Sequence, residues 1–409
     1  MLQTLRVLAL VLCVVPAAHG AAILYATAAT RARVDGFCIR ADGSLARTPK
    51  VQAPTAGAEP RRLFIGANGV LYVAEIDRVE AFRINANGTL KPLGGTGPVV
   101  NPNMNPLDVA LSPDGSKLYV PQNGRDRIVA YDLDAEGRPI LADSGPDFRS
   151  CIQGPFDSRY QRLQVRDGYL YVTSASLSGQ ISVFPLAADG SLPATPDQCK
   201  LPTSSTERSD PTCPLSERRK LRTPRAFVFV DDIVYVDSLL KRRVFAFKLN
   251  AGLFTPPEQK KSGAVVSVCL KDADGEALEG PFRWQAPLDP HGKTKVLKQY
   301  QDMVLARGTL LLSQFLRGRI DAFRIRSDGG LPHNRSKSTR EDVRGSPVGL
   351  AAHPGGGVVY LAAGELDRVQ AFALNQKGLP DPTPFSETEE DVDSFPNALA
   401  IAQLTDRCE

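Results

Sequence analysis

Seven spaced copies of one short strand pattern, a turn-rich composition and an incomplete copy at each end of the chain predict an all-β fold. The architecture they predict is a seven-bladed β-propeller, closed by a C-terminal inner strand that completes the first blade. The pattern is clearest over residues 106–137. A short apolar strand leads to the turn Ser112-Pro113-Asp114-Gly115, an alternating strand follows, and a second alternating strand ends at Ala135-Glu136-Gly137. Short runs of Val, Ile, Tyr and Leu punctuated by Pro, Gly, Asn and Asp are antiparallel-strand signals, because the branched and aromatic residues suit a pleated surface and the others suit turns.

Aligned on the third strand, the copies carry the aromatics Phe37, Phe82, Tyr131, Phe184, Phe247, Phe323 and Phe372, each preceded three residues earlier by Val or Ile. Hairpin dipeptides follow most of them: Asp42-Gly43, Asn87-Gly88, Asp189-Gly190 and Asp328-Gly329. The first copy, over residues 23–27, has no inner strand before it, and residues 395–401 form an inner strand with no blade after it. Placing the second beside the first pairs two edges that would otherwise be open.

Taken in order, residues 1–20 read as a secretory signal peptide: Arg6, an apolar run over residues 7–15, then Ala18-His19-Gly20. Residues 21–409 then form the propeller, with insertions near residues 201–221 and 273–298. The protein is expected to be exported, to the periplasm or the extracellular medium, as a monomer with no membrane span. A net charge of +4 and the absence of a basic run interleaved with aromatics argue against nucleic acid as a partner. Apart from Cys13 in the leader, six cysteines remain, an even number that points to disulfides in an exported chain. Cys38 and Cys408 lie where a bridge would lock the first blade to the closing strand, and Cys199 and Cys213 flank a polar loop and are near enough to pair. No Cys/His spacing fits a metal, and no cofactor is expected.

The first residues of the inner strands should line the mouth of the channel. In register they are Arg61-Arg62, Leu107-Asp108, Gln161-Arg162, Arg225-Ala226, Gln301-Asp302, Val348-Gly349 and Asn397-Ala398. Two readings of the charged members stand open. Arg62, Asp108, Arg162, Arg225 and Asp302 either hold an anionic ligand through forked arginine donors or neutralise one another as a salt-bridge ring. Arg61, Gln301 and Asn397 join them as candidate substrate-binding residues. Just before each third strand stands Arg33, Arg78, Arg127, Arg243, Arg319 or Arg368, with Gln180 in the remaining copy. These either present a basic rim to an anionic polymer or pair with acidic neighbours such as Asp77, Asp126 and Asp367.

The turn and strand over residues 112–120, the Pro224-Arg225 opening of an inner strand and the Asp-Gly-Ser-Leu type of hairpin resemble the lactonase-type seven-bladed propellers. That family includes bacterial 6-phosphogluconolactonase and the fungal carboxy-muconate lactonizing enzymes. The resemblance spans the mature chain and implies hydrolysis or formation of a cyclic ester, with Arg225 binding a substrate carboxylate or phosphate. Ala226 stands where the family usually has His after that Arg, and Leu239 where an Asn-Glu pair is usual. Glu75 and Asp302 are then the carboxylates nominated for proton transfer. The alternative is a non-catalytic propeller that presents its rim and insertions to a protein or an envelope polymer.

Overall fold

The computed structural model describes residues 21–95, 106–122, 127–140, 148–149, 160–174, 180–192, 224–238, 243–248, 266–267, 300–315, 318–327, 329, 331, 337–338, 346–390 and 394–408. The leader, both insertions, Cys151, Cys199, Cys213, Cys269, Leu239, His291 and His333 lie outside the described residues.

The described strands fall into seven antiparallel sheets. Sheet 1 runs Leu399–Gln403, Ala22–Ala28, Arg33–Ile39, Val51–Pro54, so the last strand of the chain lies beside the first. Sheet 2 is Arg62–Ile65, Val70–Ala74, Val79–Ile84, Leu90–Gly95. Sheet 3 is Ala110–Leu111, Lys117–Gln122, Arg127–Leu133, Pro139–Ile140, with Phe148–Arg149 also on its third strand. Sheet 4 is Tyr160–Arg166, Tyr169–Ser174, Gln180–Pro185, with Val266–Ser267 as its outer strand. Sheet 5 is Phe227–Val230, Ile233–Ser238, Arg243–Lys248. Sheet 6 is Tyr300–Ala306, Thr309–Gln314, Arg319–Arg324, Lys337–Ser338, and sheet 7 is Pro347–Ala352, Val358–Ala363, Arg368–Ala373, Ser386–Glu387. Sheet 4 therefore takes its outer strand from chain that follows sheet 5, a crossover the linear reading did not foresee.

The seven aromatics occupy one register position. Phe37 faces Leu24, Phe82 Leu71, Tyr131 Leu118, Phe184 Leu170, Phe247 Val234, Phe323 Leu310 and Phe372 Val359. The residue after that apolar partner is Tyr25, Tyr72, Tyr119, Tyr171, Tyr235 or Tyr360 in six sheets and Leu311 in sheet 6, every one fully buried. A buried phenol needs an acceptor, and five of these find it in the hairpin of the next sheet. Tyr25 Oη donates to Gly88 O at 2.7 Å, Tyr72 to Gly137 O at 2.8 Å, Tyr235 to Gly329 O at 2.7 Å, and Tyr119 to Gly190 O. Tyr360 of sheet 7 donates to Gly43 O of sheet 1 at 2.9 Å. In sheet 6 the Thr309 hydroxyl reaches Lys377 O of sheet 7 at 2.7 Å, and Tyr171 of sheet 4 sets its ring edge-on to Phe229 of sheet 5, with centroids 4.8 Å apart. The hairpin glycines adopt left-handed backbone, φ +82° at Gly43 and +77° at Gly329, which a side chain would strain. A Cβ at Gly329 would also lie 1.9 Å from Ile233 Cδ1.

Apolar clusters fill the gaps between sheets. Ile23, Tyr25, Leu71 and Phe82 join sheets 1 and 2, while Leu24, Phe37, Val358 and Tyr360 join sheets 1 and 7. Cys38 and Cys408 are bonded to each other across 370 residues.

Candidate functional site: a cavity at the inner-strand openings

Strands alternate their side chains between two faces, and this sorts the seven residue pairs. The first member of each pair, Arg61, Leu107, Gln161, Arg225, Gln301, Val348 and Asn397, lines one cavity of about 690 Å³. Among the second members only the long side chains of Arg62 and Arg162 reach back to the same wall.

The inner strands are held at this end by a second position that the sequence reading overlooked, two residues beyond the buried Tyr. Thr27 Oγ1 accepts from the N–H groups of Asn397 and Ala398, each at 3.1 Å. Thr173 Oγ1 accepts from Arg162 N at 3.2 Å and donates to Arg225 O of the next sheet, also at 3.2 Å. Ser313 Oγ does the same between Asp302 N, 3.0 Å, and Val348 O, 2.8 Å. In sheet 5 the position is Asp237, whose Oδ1 accepts from both Arg225 N and Ala226 N at 2.7 Å. A Thr, Ser or Asp two residues after the buried Tyr, or after Leu311 in sheet 6, is the signal that would have found them.

Asp302, nominated for proton transfer, does not line the cavity. It is 3% exposed, and Arg62 Nη1 (3.0 Å), Arg162 Nη2 (2.9 Å) and Leu350 N (3.1 Å) donate to it. Burial alone would raise its carboxyl, but the two guanidinium groups hold it below the usual carboxylate range. A carboxylate so engaged is a poor proton acceptor. Asp108, nominated for substrate, is also turned inward: Oδ2 accepts from Leu163 N at 2.9 Å and Oδ1 lies 3.4 Å from Arg62 Nε. Arg62, Asp108, Arg162 and Asp302 come from sheets 2, 3, 4 and 6, so this balanced network of two cations and two anions reaches between inner strands that are not neighbours. For these four residues the self-neutralising alternative describes the geometry.

Glu75 also lies away from the cavity. It follows the second strand of sheet 2, is fully buried, and sits beneath residues 55–57, where a Cβ on Gly57 would come within 2.0 Å of its Oε2. Burial, reinforced by Glu80 and Asp77 and opposed by Thr55, pushes its carboxyl up to about 8.

Arg225 differs from the other arginines of the cavity. Its Nη1 donates to Gln301 Oε1 at 2.9 Å, its Nε is buried without a hydrogen-bond partner, and among the described residues no carboxylate lies within ion-pair distance. Asp237 beneath it is pushed up to about 6 by burial, against the two N–H bonds it accepts. Burial also draws the Arg225 guanidinium down, with Asp237 opposing.

Glu59, Thr30, Ala29, Ala32, Ala58 and Phe395 line the same cavity and were missed, because they belong to the segments between strands rather than to the repeat. Glu59 Oε2 accepts from Arg61 Nη2 at 2.9 Å. The rim arginines that can be followed are paired: Arg33 with Asp35 (2.9 Å), Arg78 with Asp77 (3.2 Å) and Arg319 with Asp321 (3.0 Å). Arg368 pairs with Glu387 and Glu390, both at 2.9 Å, rather than with Asp367. His353 sits in its turn, Nδ1 accepting from Gly355 N at 3.0 Å. Among the described residues no group of three or more His, Cys, Asp and Glu is placed to hold a metal ion, and no helix is long and apolar enough to cross a membrane.

No family model and no curated relative matches the chain. Solved structures do. A Lactobacillus plantarum protein aligns over 94% of this chain and 99% of its own, at 14% identity and TM-score 0.66. The periplasmic gluconolactonase of Pseudomonas aeruginosa aligns over 93% of this chain and 99% of its own, at 16% identity and TM-score 0.64. The chain shares the fold of these two structures. A Bacteroides fragilis protein provisionally named 6-phosphogluconolactonase agrees with this, covering 94% and 98% of the two chains at 15% identity and TM-score 0.63. At such identities the likeness concerns the backbone, and the chemistry has to be argued from the cavity.

Proposed function

We propose that this chain is an exported, seven-bladed β-propeller of lactonase type that binds a small organic anion in its cavity and opens a cyclic ester on it. The observation that carries the reading is Arg225, a cavity cation with no carboxylate in ion-pair distance among the described residues and its orientation set by Gln301. A guanidinium in that state recognises a ligand carboxylate with paired donors. Seven sheets that contact one another in sequence, the seventh also contacting the first, support the closed ring. The apolar leader over residues 7–15 and the Cys38–Cys408 bond support export, since disulfides persist in oxidising compartments. A phosphorylated lactone is a cytoplasmic metabolite, so the ligand's anionic group is a carboxylate.

Proton transfer falls to Glu59 rather than to Glu75 or Asp302, because it is the carboxylate on the cavity wall. In this scheme Glu59 takes a proton from water as the water oxygen adds to the lactone carbonyl carbon. The ring C–O bond breaks, and protonated Glu59 returns that proton to the departing alkoxide, which gives the hydroxy acid and restores the Glu59 carboxylate. The test is acid release from a panel of unphosphorylated lactones by the mature protein beside Arg225→Ala and Glu59→Gln. Hydrolysis lost in both variants supports the scheme. No release from any lactone by the folded, oxidised protein refutes it.

A further inference from the structure

The cavity has two unlike walls. Gln161, Arg162, Arg225 and Gln301, which open the inner strands of sheets 4, 5 and 6, make one side polar throughout, whereas on the side of sheets 7, 1 and 2 an apolar strip of Ala29, Ala32, Ala58, Val348 and Phe395 runs beside the polar Thr30, Glu59, Arg61, Arg62 and Asn397. Most of the exposed wall is apolar, although four arginines contribute to it. At about 690 Å³ the space also belongs with pockets of roughly 300–1,000 Å³ that enclose ligands larger than one sugar ring.

Phe395 is held on this wall at a conformational cost. Its φ is +44°, where a bulky side chain is rarely found, and Pro396 behind it further disfavours helical backbone. Two contacts keep it there. Its N–H donates to Asp367 Oδ1 at 2.7 Å, and its ring lies over Gly364, where a Cβ would stand 2.9 Å from Cζ. Ala32 and Glu59, also on the wall, have φ of +47° and +49°. Of the eight described non-glycine residues with positive φ, these three line the cavity, and the bulky Phe395 is held in a shape that its surroundings impose.

We infer that the cavity takes an amphiphilic anion, its carboxylate on Arg225 and an aryl ring or short acyl chain against Phe395 and the alanine wall. This rests on the anion-binding reading of Arg225 and supplies the other half of the ligand. A carboxylate alone would leave the apolar wall in water, whereas a joined aryl or acyl group removes both surfaces from solvent at once.

Calorimetric titration with 4-phenylbutyrate, butyrate and gluconate tests the inference. The expected result is binding of 4-phenylbutyrate at least tenfold tighter than of the other two, about 1.4 kcal/mol. Phe395→Ala should remove most of that ratio, and Arg225→Ala should abolish binding of all three. The wild-type ratio decides the matter even where Phe395→Ala fails to fold. Gluconate bound as tightly as 4-phenylbutyrate, and lost in Arg225→Ala, would overturn the amphiphile while leaving the anion site in place. No binding of any of the three would overturn both.

Discussion

Replacing Glu75 with Gln should make the protein less sensitive to alkaline pH. The carboxyl is fully buried beneath residues 55–57 and raised from its ordinary 4.5 to about 8. A carboxyl raised on folding makes the folded state hold its proton where the unfolded chain has already released it. Its adverse contribution is therefore absent below about pH 4.5 and grows until the pH passes about 8. At about 1.4 kcal/mol per tenfold, stability lost to this one group over that window is about 5 kcal/mol. Glu80, raised by burial as well, acts in the same direction and leaves a residual slope. Gln has nearly the shape of the protonated acid and cannot ionise. Urea unfolding at pH 5.5 and pH 8.5 should then show wild type losing about 3 kcal/mol more than Glu75→Gln between the two conditions. Parallel losses in the two proteins would refute the burial argument. Activity reduced by Glu75→Gln with no change in stability would return the residue to the catalytic role proposed from sequence.

Arg62→Ala leaves Asp108 without the cation beside it and Asp302 with Arg162 alone, so unfolding free energy should fall by about 3 kcal/mol, read by urea titration. A change under about 1 kcal/mol would mean the network contributes little to stability. Joint replacement of Cys38 and Cys408 by Ser should cost about 2–4 kcal/mol, and reductant should lower the melting temperature of wild type by more than that of the variant. Tyr360→Phe removes the bond from sheet 7 to Gly43 O of sheet 1 and leaves a buried carbonyl unpaired. A loss of about 1–3 kcal/mol in the same assay is expected.

The repeat made the strands and their register legible, because a period of two and a recurring aromatic fix which residues face inward. That is why the sequence places the first member of every inner-strand pair on the side where the cavity lies. The same period was read too generously at the second member. Asp108 and Asp302 are too short to turn back to the cavity, whereas Arg62 and Arg162 are long enough, a difference of side-chain length rather than of pattern. Partners beside the cavity were illegible for another reason: Arg62 meets Asp302 240 residues away, and no local spacing encodes which inner strands approach each other. Glu59 was missed because it lies between strands, outside the repeat, and Phe395 because the sequence places it in the closing strand, which in the structure begins only at Leu399. Glu75 was misplaced because an acid ending a strand reads as exposed unless the segment above it, with Gly57 at the point of contact, is known.

Sheet 1 is assembled from the two ends of the chain, Ala22–Ala28 taking its inner neighbour from Leu399–Gln403. Ala22–Ala28 therefore waits for a partner that is made far later in the chain. Through almost all of synthesis, at about 5–20 residues per second, the first sheet carries an unpaired edge and an unfilled face against Ile23 and Tyr25. Contacts so far apart in sequence also form slowly even after release, since the whole intervening chain must be ordered first. A chain that stops short of residue 403 lacks the strand that covers the inner edge of Ala22–Ala28.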